Sequence, residues 1–209
     1  MEFVSKNITE EDLKAIENTV KLEMGEDRFF HTLGVVHEIS RLGEIFLPND
    51  IAELKAAALL HDITKEYSHK KQLQLCEKFG IILDNADLIA EQVLHSKTGA
   101  YVAREKFPKI VSERIFNAIY RHTLGDENMS LFDKLLYLSD FTEENRTNSF
   151  CLELRRMFWH NFDALTREQQ EKRLDEALLF SFESTIARLE ISGRPVSKKT
   201  LLARDSLLS

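Results

Sequence analysis

Ionisable side chains occupy three places where the neighbouring apolar residues predict a buried position. His61 and Asp62 close an apolar run that ends at Leu60, and His61 falls on the inward face of that segment. His31 stands in the apolar sequence FFHTL, and Asp140 follows the sequence LLYLS. Burying a carboxylate beside an imidazole costs free energy unless a positive group lies against both. Because histidine nitrogens and aspartate oxygens suit a divalent ion such as Fe, Mn, Zn or Mg, the four residues indicate a candidate metal site.

Each of these residues also has a purely structural explanation. A single histidine on an apolar face is usually a core residue that donates to a backbone carbonyl. Asp140 could instead cap a helix or pair with a buried arginine. A cation would neutralise both buried carboxylates at once, which no single structural explanation does. Since distances between helices are not visible in a sequence, the residue pattern leaves both interpretations open.

Two further histidines stand at predicted helix boundaries, where a phosphate could bind. His95 precedes Ser96 at a predicted helix start, where free N–H groups favour phosphate, and His122 with Thr123 ends another helix. Gly34, one turn after His31, permits the close approach of a neighbouring helix or ligand. Cations near these motifs are Arg28, Lys65, Lys97, Arg121 and Arg146. In a chain of net charge −7 these cations indicate a local phosphate site. Alternatively, the histidines are ordinary helix-terminal polar residues and the cations belong to a solvated face.

The elements that must position these residues are helices. With 7 Gly and 3 Pro in 209 residues, breakers are scarce, and the apolar residues recur every three or four positions. We therefore expect an all-α fold. The predicted helices cover about 9–24, 27–47, 51–62, 69–79, 85–94, 96–106, 111–122, 131–141 and 167–192. Capping boxes are predicted at Thr9, Ser130 and Thr166, and Gly193 and Pro195 are expected to break the last helix and leave a polar tail.

Composition excludes several classes of protein. The net charge of −7 argues against broad binding to nucleic acid or to an anionic membrane. Cys76 and Cys151 lie too far apart to imply a disulfide framework. The N-terminus lacks the pattern of a secretory signal, and no apolar stretch approaches the ~18 residues that span a bilayer. We therefore expect a cytoplasmic protein that binds neither nucleic acid nor membrane.

The ordered set His31, His61-Asp62 and Asp140 resembles the H…HD…D signature of HD-domain metal-dependent phosphohydrolases. The strings RFFHTLGV, LLHDITK, HTLG and LSDF around these positions, with GRPV in the tail, are similar to the YqeK-type branch. That branch contains bacterial symmetrical bis(5′-nucleosyl)-tetraphosphatases, which cut diadenosine tetraphosphate into two ADP. The resemblance implies a single HD-domain-like helical bundle with the metal site in its core. It also implies a core at 26–147, an N-terminal helical extension at 1–25, and C-terminal helices and tail at 148–209 that pack on the site.

The resemblance assigns roles to individual residues. The metal ligands would be His31, His61, Asp62 and Asp140, and the metal would be iron, with Mn, Co, Zn and Mg as alternatives. Catalysis would rest on Asp62, His95 and His122. Nucleotide binding would involve Arg28, Asp62, Lys65, His95, His122, Thr123, Asp140 and Arg146, and Arg194, Pro195 and Val196 in the tail would fold over the base. Residues 96–98, Asp126 and Glu144 depart from the usual pattern of the branch.

The expected partner is therefore a small nucleotide, with ADP as the product and a homodimer as the candidate assembly. Two other functions stay open at this point. One is a different HD nucleotide phosphohydrolase, such as a 5′-nucleotidase or a guanosine-polyphosphate hydrolase. The other is a metal- and nucleotide-binding module without turnover, and a plain helical scaffold is a third interpretation.

Overall fold

The computed structural model describes residues 7–83 and 93–208. Within these ranges the chain forms ten α-helices and a short 3₁₀ helix, Phe162–Ala164, and no strand. This confirms the all-α prediction. The helices are α1 Glu10–Glu23, α2 Glu26–Phe46, α3 Ile51–Leu60, α4 His69–Phe79, α5 Leu94–Lys106, α6 Glu113–Arg121, α7 Leu131–Thr142, α8 Ser149–Trp159, α9 Arg167–Ile191 and α10 Lys198–Ser206.

Three helix starts follow directly from local sequence. The Thr9, Ser130 and Thr166 side chains each accept a hydrogen bond from the backbone N–H three residues later, and the residue at that position bonds back. These reciprocal bonds satisfy backbone donors that a helix start leaves free. The three predicted capping boxes are confirmed.

Three local predictions differ from the structure. Helix α5 begins at Leu94 rather than at Ser96, so Ser96 lies buried in its first turn. Helix α8 was not predicted, although Asn148 caps it by accepting from the Cys151 N–H. The tail expected to be only polar forms α10 after Ser197. Most of the predicted helix 85–94 lies outside the described residues.

Helix α3 forms the centre of the bundle. Its residues Leu54 and Ala56 to Leu60 are buried, as expected for a short helix that is apolar on every side. It packs against α1, α2, α6 and α7. The apolar face of α1, with Leu13, Ile16 and Val20, joins this same core. The arrangement places the C-terminal end of α3, with His61 and Asp62, between α2 and α7.

Among the described residues, none of the helices combines the length and the apolar character needed to cross a membrane.

Candidate metal centre and adjoining cavity

The four predicted metal ligands converge in the interior. His31 comes from the second turn of α2, His61 and Asp62 from the end of α3, and Asp140 from α7. The Nε2 atom of His31 lies 3.0 Å from Asp140 Oδ1 and 3.8 Å from Asp62 Oδ2. The Nε2 atom of His61 lies 3.4 Å from Asp62 Oδ2 and 3.9 Å from Asp140 Oδ1. His31 and Asp140 are 109 positions apart in the sequence, yet their side chains lie within a few ångströms of each other.

The ring nitrogens show how a cation would fit. His61 Nδ1 lies 2.6 Å from the Ala58 carbonyl oxygen, so that nitrogen donates and Nε2 keeps its lone pair. The Nε2 atoms of His31 and His61 are buried beside these carboxylates, but neither makes a hydrogen bond of good geometry with any of the described residues. Buried polar atoms of this kind require a partner, and a metal ion supplies one. The donor set of imidazole nitrogens and carboxylate oxygens fits a divalent ion.

Among residues 7–83 and 93–208, two overlapping groups have ligand atoms close enough to hold an ion. His31, His61 and Asp140 form one group, and His61, Asp62 and His122 form the other, with all ligand atoms of each group within 4.8 Å of one another. His122 Nδ1 lies 2.6 Å from the Ile119 carbonyl oxygen, which turns its Nε2 toward Asp62. The second group brings His122 into the same cluster as the four predicted ligands.

His95 completes the histidine side of the cluster. Its Nε2 lies 3.2 Å from Asp62 Oδ1 and 3.1 Å from the Nε2 of His122. Thr123 Oγ1 lies 3.1 Å from the same nitrogen. His95 is buried in the first turn of α5, so its position differs from the exposed helix start that the sequence suggested. The predicted catalytic residues Asp62, His95 and His122 are thus mutual neighbours.

The two carboxylates of the cluster keep their charge in spite of burial, as their pKa shifts show. Burial alone would raise the pKa of Asp62, but His61, His122 and His95 hold it well below its usual range. Burial also opposes ionisation of Asp140, yet Arg146 and His31 hold its pKa well below normal. Burial works against a charged His31, but the Asp140 and Glu143 carboxylates beside its ring prevail and raise its pKa to about 8. Burial lowers the pKa of His95 to about 4 despite Asp62 nearby.

Three cations surround the carboxylates. Arg28 Nη1 lies 2.8 Å from Asp62 Oδ2, and Arg146 pairs with Asp140 through Nη2 while its Nε donates to the Asp140 backbone oxygen at 2.6 Å. Lys65 Nζ lies 3.2 Å from His95 Nε2. Burial lowers the pKa of Lys65 in spite of Asp62 and Asp140 nearby. Two other cations noted in the sequence do not line the adjoining cavity: Arg121 pairs with Asp133 at 2.7 Å, and Lys97 is buried in α5.

A buried polar network that sequence reasoning missed connects α4 to α5 behind His95. Thr64 Oγ1 donates to the His95 carbonyl oxygen at 3.0 Å, and Gln72 Nε2 donates to the Thr64 carbonyl oxygen at 2.6 Å. Thr98 Oγ1 donates to Gln72 Oε1 at 2.5 Å. These bonds fix the turn that carries Lys65 against the helix that carries His95. No pattern in the sequence relates three uncharged side chains so far apart.

Glu143 is a second residue that sequence reasoning missed. Its side chain is 1% exposed, and Oε1 lies 3.1 Å from His31 Nδ1. The one available signal was Gly34, which the sequence marked as a place of close approach. A Cβ added at Gly34 would overlap the Glu143 carboxylate, so the absent side chain makes room for this group.

A cavity of about 630 Å³ opens beside the cluster. Six of the predicted nucleotide-binding residues line it: Lys65, Thr123, Asp140, Arg146, Arg194 and Pro195. Val196 does not line it, although its neighbours Pro195 and Ser197 do. The rest of the lining comes from α7, α9 and the start of α8 and includes Phe141, Asn148, Phe150, Thr185, Arg188 and Leu189, none of which was predicted to bind the nucleotide. The cavity combines apolar rings with arginines, as a site for an anionic aromatic ligand requires.

The C-terminal segment is anchored to the loop that carries Thr123. Thr200 Oγ1 donates to the Leu124 carbonyl oxygen at 3.0 Å, and Lys199 Nζ lies 2.9 Å from Asp126 Oδ2. These contacts bring Arg194 and Pro195 to the cavity from the far end of the chain. The C-terminal segment therefore forms part of the cavity wall.

Comparison with known proteins places the chain in a family. Residues 28–147 match the HD domain. The chain is 30% identical over 193 residues to the symmetrical bis(5′-nucleosyl)-tetraphosphatase of Bacillus subtilis, covering 91% of this chain and 94% of that protein. It is 28% identical over 191 residues to the protein of the same description from Halalkalibacterium halodurans, covering 90% of this chain and 93% of that one.

A solved structure agrees with these matches. A crystal structure from Clostridium acetobutylicum, described as a predicted HD superfamily hydrolase involved in NAD metabolism, superposes with a TM-score of 0.80 at 31% identity. The superposition covers 93% of this chain and 96% of that one. The chain belongs to the HD-domain family, in the group of the symmetrical bis(5′-nucleosyl)-tetraphosphatases.

Proposed function

We propose that this protein is a metal-dependent hydrolase that cleaves diadenosine tetraphosphate symmetrically into two ADP. The observation that carries the proposal is the position of Asp140 and Lys65, which belong both to the buried cluster and to the cavity wall. A nucleotide in the cavity would thus present its phosphates to the cluster. The volume falls within the range of about 300–1,000 Å³ that is common for small-molecule sites.

The metal ligands would be His31, His61, Asp62 and Asp140, with His122 available to a second ion. We propose iron as the metal, and Mn, Co, Zn and Mg as alternatives to be compared. When bound, a divalent ion supplies Lewis acidity toward water and toward a phosphoryl oxygen. The chain contributes the orientation of its ligands, because the Ala58 and Ile119 carbonyls hold two of the rings in place.

The charged side chains around the cluster would bind and stabilise the phosphates. Arg28, Lys65 and Arg146 would offset the negative charge that spreads over the transferring phosphoryl group. Asp62 would accept the proton of the attacking water, because its carboxylate stays ionised in this surrounding. His95 and His122 would hydrogen-bond the adjacent phosphate oxygens or exchange protons with them.

The tail and the apolar wall would hold the nucleoside. We assign Arg194, Pro195 and Val196 to the cover over the base, and Thr123 to the phosphates or ribose. We also propose that residues 26–147 form the catalytic core, with 1–25 as an extension and 148–209 completing the cavity. A cytoplasmic location and a homodimer are further proposals, and light scattering of the purified protein tests the second.

The test is product identification. Purified protein loaded in turn with Fe, Mn and Co is incubated with diadenosine tetraphosphate, and the products are separated by anion-exchange chromatography. Two ADP support the proposal, whereas ATP with AMP would show an asymmetric cut and contradict it. Cleavage of a nucleoside monophosphate or a guanosine polyphosphate, with this substrate left intact, would establish the rival hydrolase. Tight ADP binding without any product would establish a binding module.

NAD is the alternative substrate to compare with diadenosine tetraphosphate. The C. acetobutylicum structure is described as involved in NAD metabolism, and NAD joins its two nucleosides through fewer phosphates. Faster turnover of NAD than of diadenosine tetraphosphate would reassign the substrate while keeping the hydrolytic chemistry.

A further inference from the structure

The three histidines assigned to the metal differ in what their Nδ1 atoms face. His61 and His122 direct Nδ1 at backbone carbonyl oxygens. His31 instead directs Nδ1 at a carboxylate, with Glu143 Oε1 at 3.1 Å. A carboxylate accepts this N–H more strongly than a neutral carbonyl does, and it makes the opposite ring nitrogen a better ligand.

The surroundings of Glu143 hold its carboxylate in a fixed place. Its Oε2 accepts the backbone N–H of Asn145 at 2.7 Å. Arg155 on α8 donates to the backbone oxygens of Thr142, at 2.7 Å, and of Glu143. A third bond from Arg155 reaches the Arg146 carbonyl oxygen at 3.0 Å. The turn after α7 is therefore immobilised by hydrogen bonds on both its backbone and its side chain.

The opposite helix is shaped to receive the carboxylate. Gly34 lies one turn after His31 on α2, and a Cβ there would overlap Glu143 Oε2 and lie 2.7 Å from Asn145 Nδ2. Burying a carboxylate costs free energy, and the hydrogen bonds that Glu143 accepts from His31 and Asn145 offset that cost. Gly34, the turn after α7 and Arg155 therefore all help to hold the Glu143 carboxylate against His31.

We propose that Glu143 is a positioning residue, which holds His31 in the tautomer and orientation that bind the metal. The inference rests on the proposed metal role of His31. With Nδ1 donating to Glu143, Nε2 is the nitrogen that faces Asp62 and Asp140 and that would bind the metal. Glu143 itself has its two oxygens directed at His31 and at the backbone of Asn145, away from the ligand atoms.

The experiment compares Glu143→Gln with Glu144→Gln, its exposed neighbour, in the full chain. Co²⁺ affinity is measured by competition with a coloured chelator, and the ligand field is followed through the Co²⁺ absorption bands. We expect Glu143→Gln to weaken Co²⁺ binding about 10-fold or more and to change the absorption bands, because a metal-binding histidine loses its carboxylate hydrogen-bond partner. Glu144→Gln is expected to match the wild type in both readouts.

A second variant guards against a general folding defect. Gly34→Ala alters no charge and replaces a helical glycine by a better helix former, yet its methyl group displaces the Glu143 carboxylate. Weaker Co²⁺ binding by Gly34→Ala in a protein with a native circular dichroism spectrum supports the proposal.

Other outcomes overturn one claim or the other. Co²⁺ affinities of both variants within twofold of the wild type would show that Glu143 is only structural. A loss of thermal stability by metal-free Glu143→Gln, with unchanged Co²⁺ affinity, would show the same. If the wild type itself binds no Co²⁺, Mn²⁺ or Fe²⁺, the proposed metal site fails before Glu143 is considered.

Discussion

Arg28 Nη1 lies 2.8 Å from Asp62 Oδ2, so a cation from the first turn of α2 contacts a buried carboxylate that follows α3. The two residues are 34 positions apart, and the Arg28 side chain is 26% exposed whereas that of Asp62 is 3% exposed. The arginine therefore extends from the protein surface to the cluster. This placement supports the proposed role of Arg28 in binding phosphate.

We expect Arg28→Met to lower kcat/KM about 100-fold or more, because one charge-stabilising donor of the transition state is lost. Metal content is expected to stay near that of the wild type, since Arg28 is not a ligand. Steady-state kinetics with diadenosine tetraphosphate and elemental analysis provide the two readouts. Lys14→Met, on the exposed face of α1, is the control and should change neither. A metal-free Arg28→Met protein would show instead that the arginine maintains the cluster.

Asp62→Asn is expected to abolish turnover and to reduce bound metal strongly, because the variant keeps the shape of the side chain but removes its charge. Wild-type protein should gain stability from the metal, by about 2.7 kcal/mol when the free ion is at 100 times its Kd. Thermal denaturation with and without a chelator measures this gain, and elemental analysis measures the metal. Asp163→Asn, exposed in the 3₁₀ helix, is the matched control. An equal metal-dependent gain in Asp62→Asn would remove Asp62 from the ligand set.

Gly125→Ala is expected to destabilise the protein by about 2–4 kcal/mol. Gly125 has a φ of +70°, and a Cβ there would lie 2.7 Å from a Phe182 ring carbon and 2.8 Å from Ala203 Cβ. Both backbone strain and crowding therefore act at this position, where the loop carrying His122 and Thr123 meets α9 and α10.

Gly80→Ala separates the two effects. Gly80 has a φ of +63° with no atom near the added Cβ, so only the backbone strain remains and a loss of about 1 kcal/mol is expected. Urea denaturation of both variants gives the comparison. Equal losses of stability in the two variants would mean that crowding of the added Cβ against Phe182 and Ala203 costs nothing.

The Asp126–Lys199 pair predicts a pH-dependent stability. Burial raises the pKa of Asp126, but the bonds from Lys199 and from the Glu127 backbone N–H prevail and lower it. Because the folded pKa is lowered, the stabilisation is complete above the unfolded value of about 3.9 and is lost as pH falls through the folded value. Asp126→Asn should therefore lower the free energy of unfolding by about 0.5–1 kcal/mol at pH 7. The difference from the wild type should shrink below about pH 4.

Denaturation at pH 7, 5, 4 and 3 measures this difference. Asp126→Asn and Lys199→Met both remove the same interaction. The double variant should therefore be about as stable at pH 7 as the less stable single variant. Additive losses would show that the two residues act independently.

The sequence by itself determined several local features and the residues of the candidate metal site. The capping boxes at Thr9, Ser130 and Thr166 were predictable because each involves residues three positions apart. The set His31, His61-Asp62 and Asp140 was visible because ionisable residues interrupt apolar helical patterns. Helix α8 had similar signals, in the Asn148 cap and in Cys151, Leu154 and Phe158 on one face, but its charged residues obscured them.

Only the tertiary structure decided which of these groups meet. Helix α10 is a short polar segment whose buried Thr200 and Ala203 pack on other parts of the chain, so its sequence alone predicts a tail. Glu143 is one of many acidic residues, and its contact with His31 depends on the crossing of α2 with the end of α7. Helix formation depends on neighbours within a turn or two, whereas the distance between two ligand atoms depends on how whole helices pack. The sequence therefore supplied the candidate ligands, and the packing of α2, α3 and α7 brought them together.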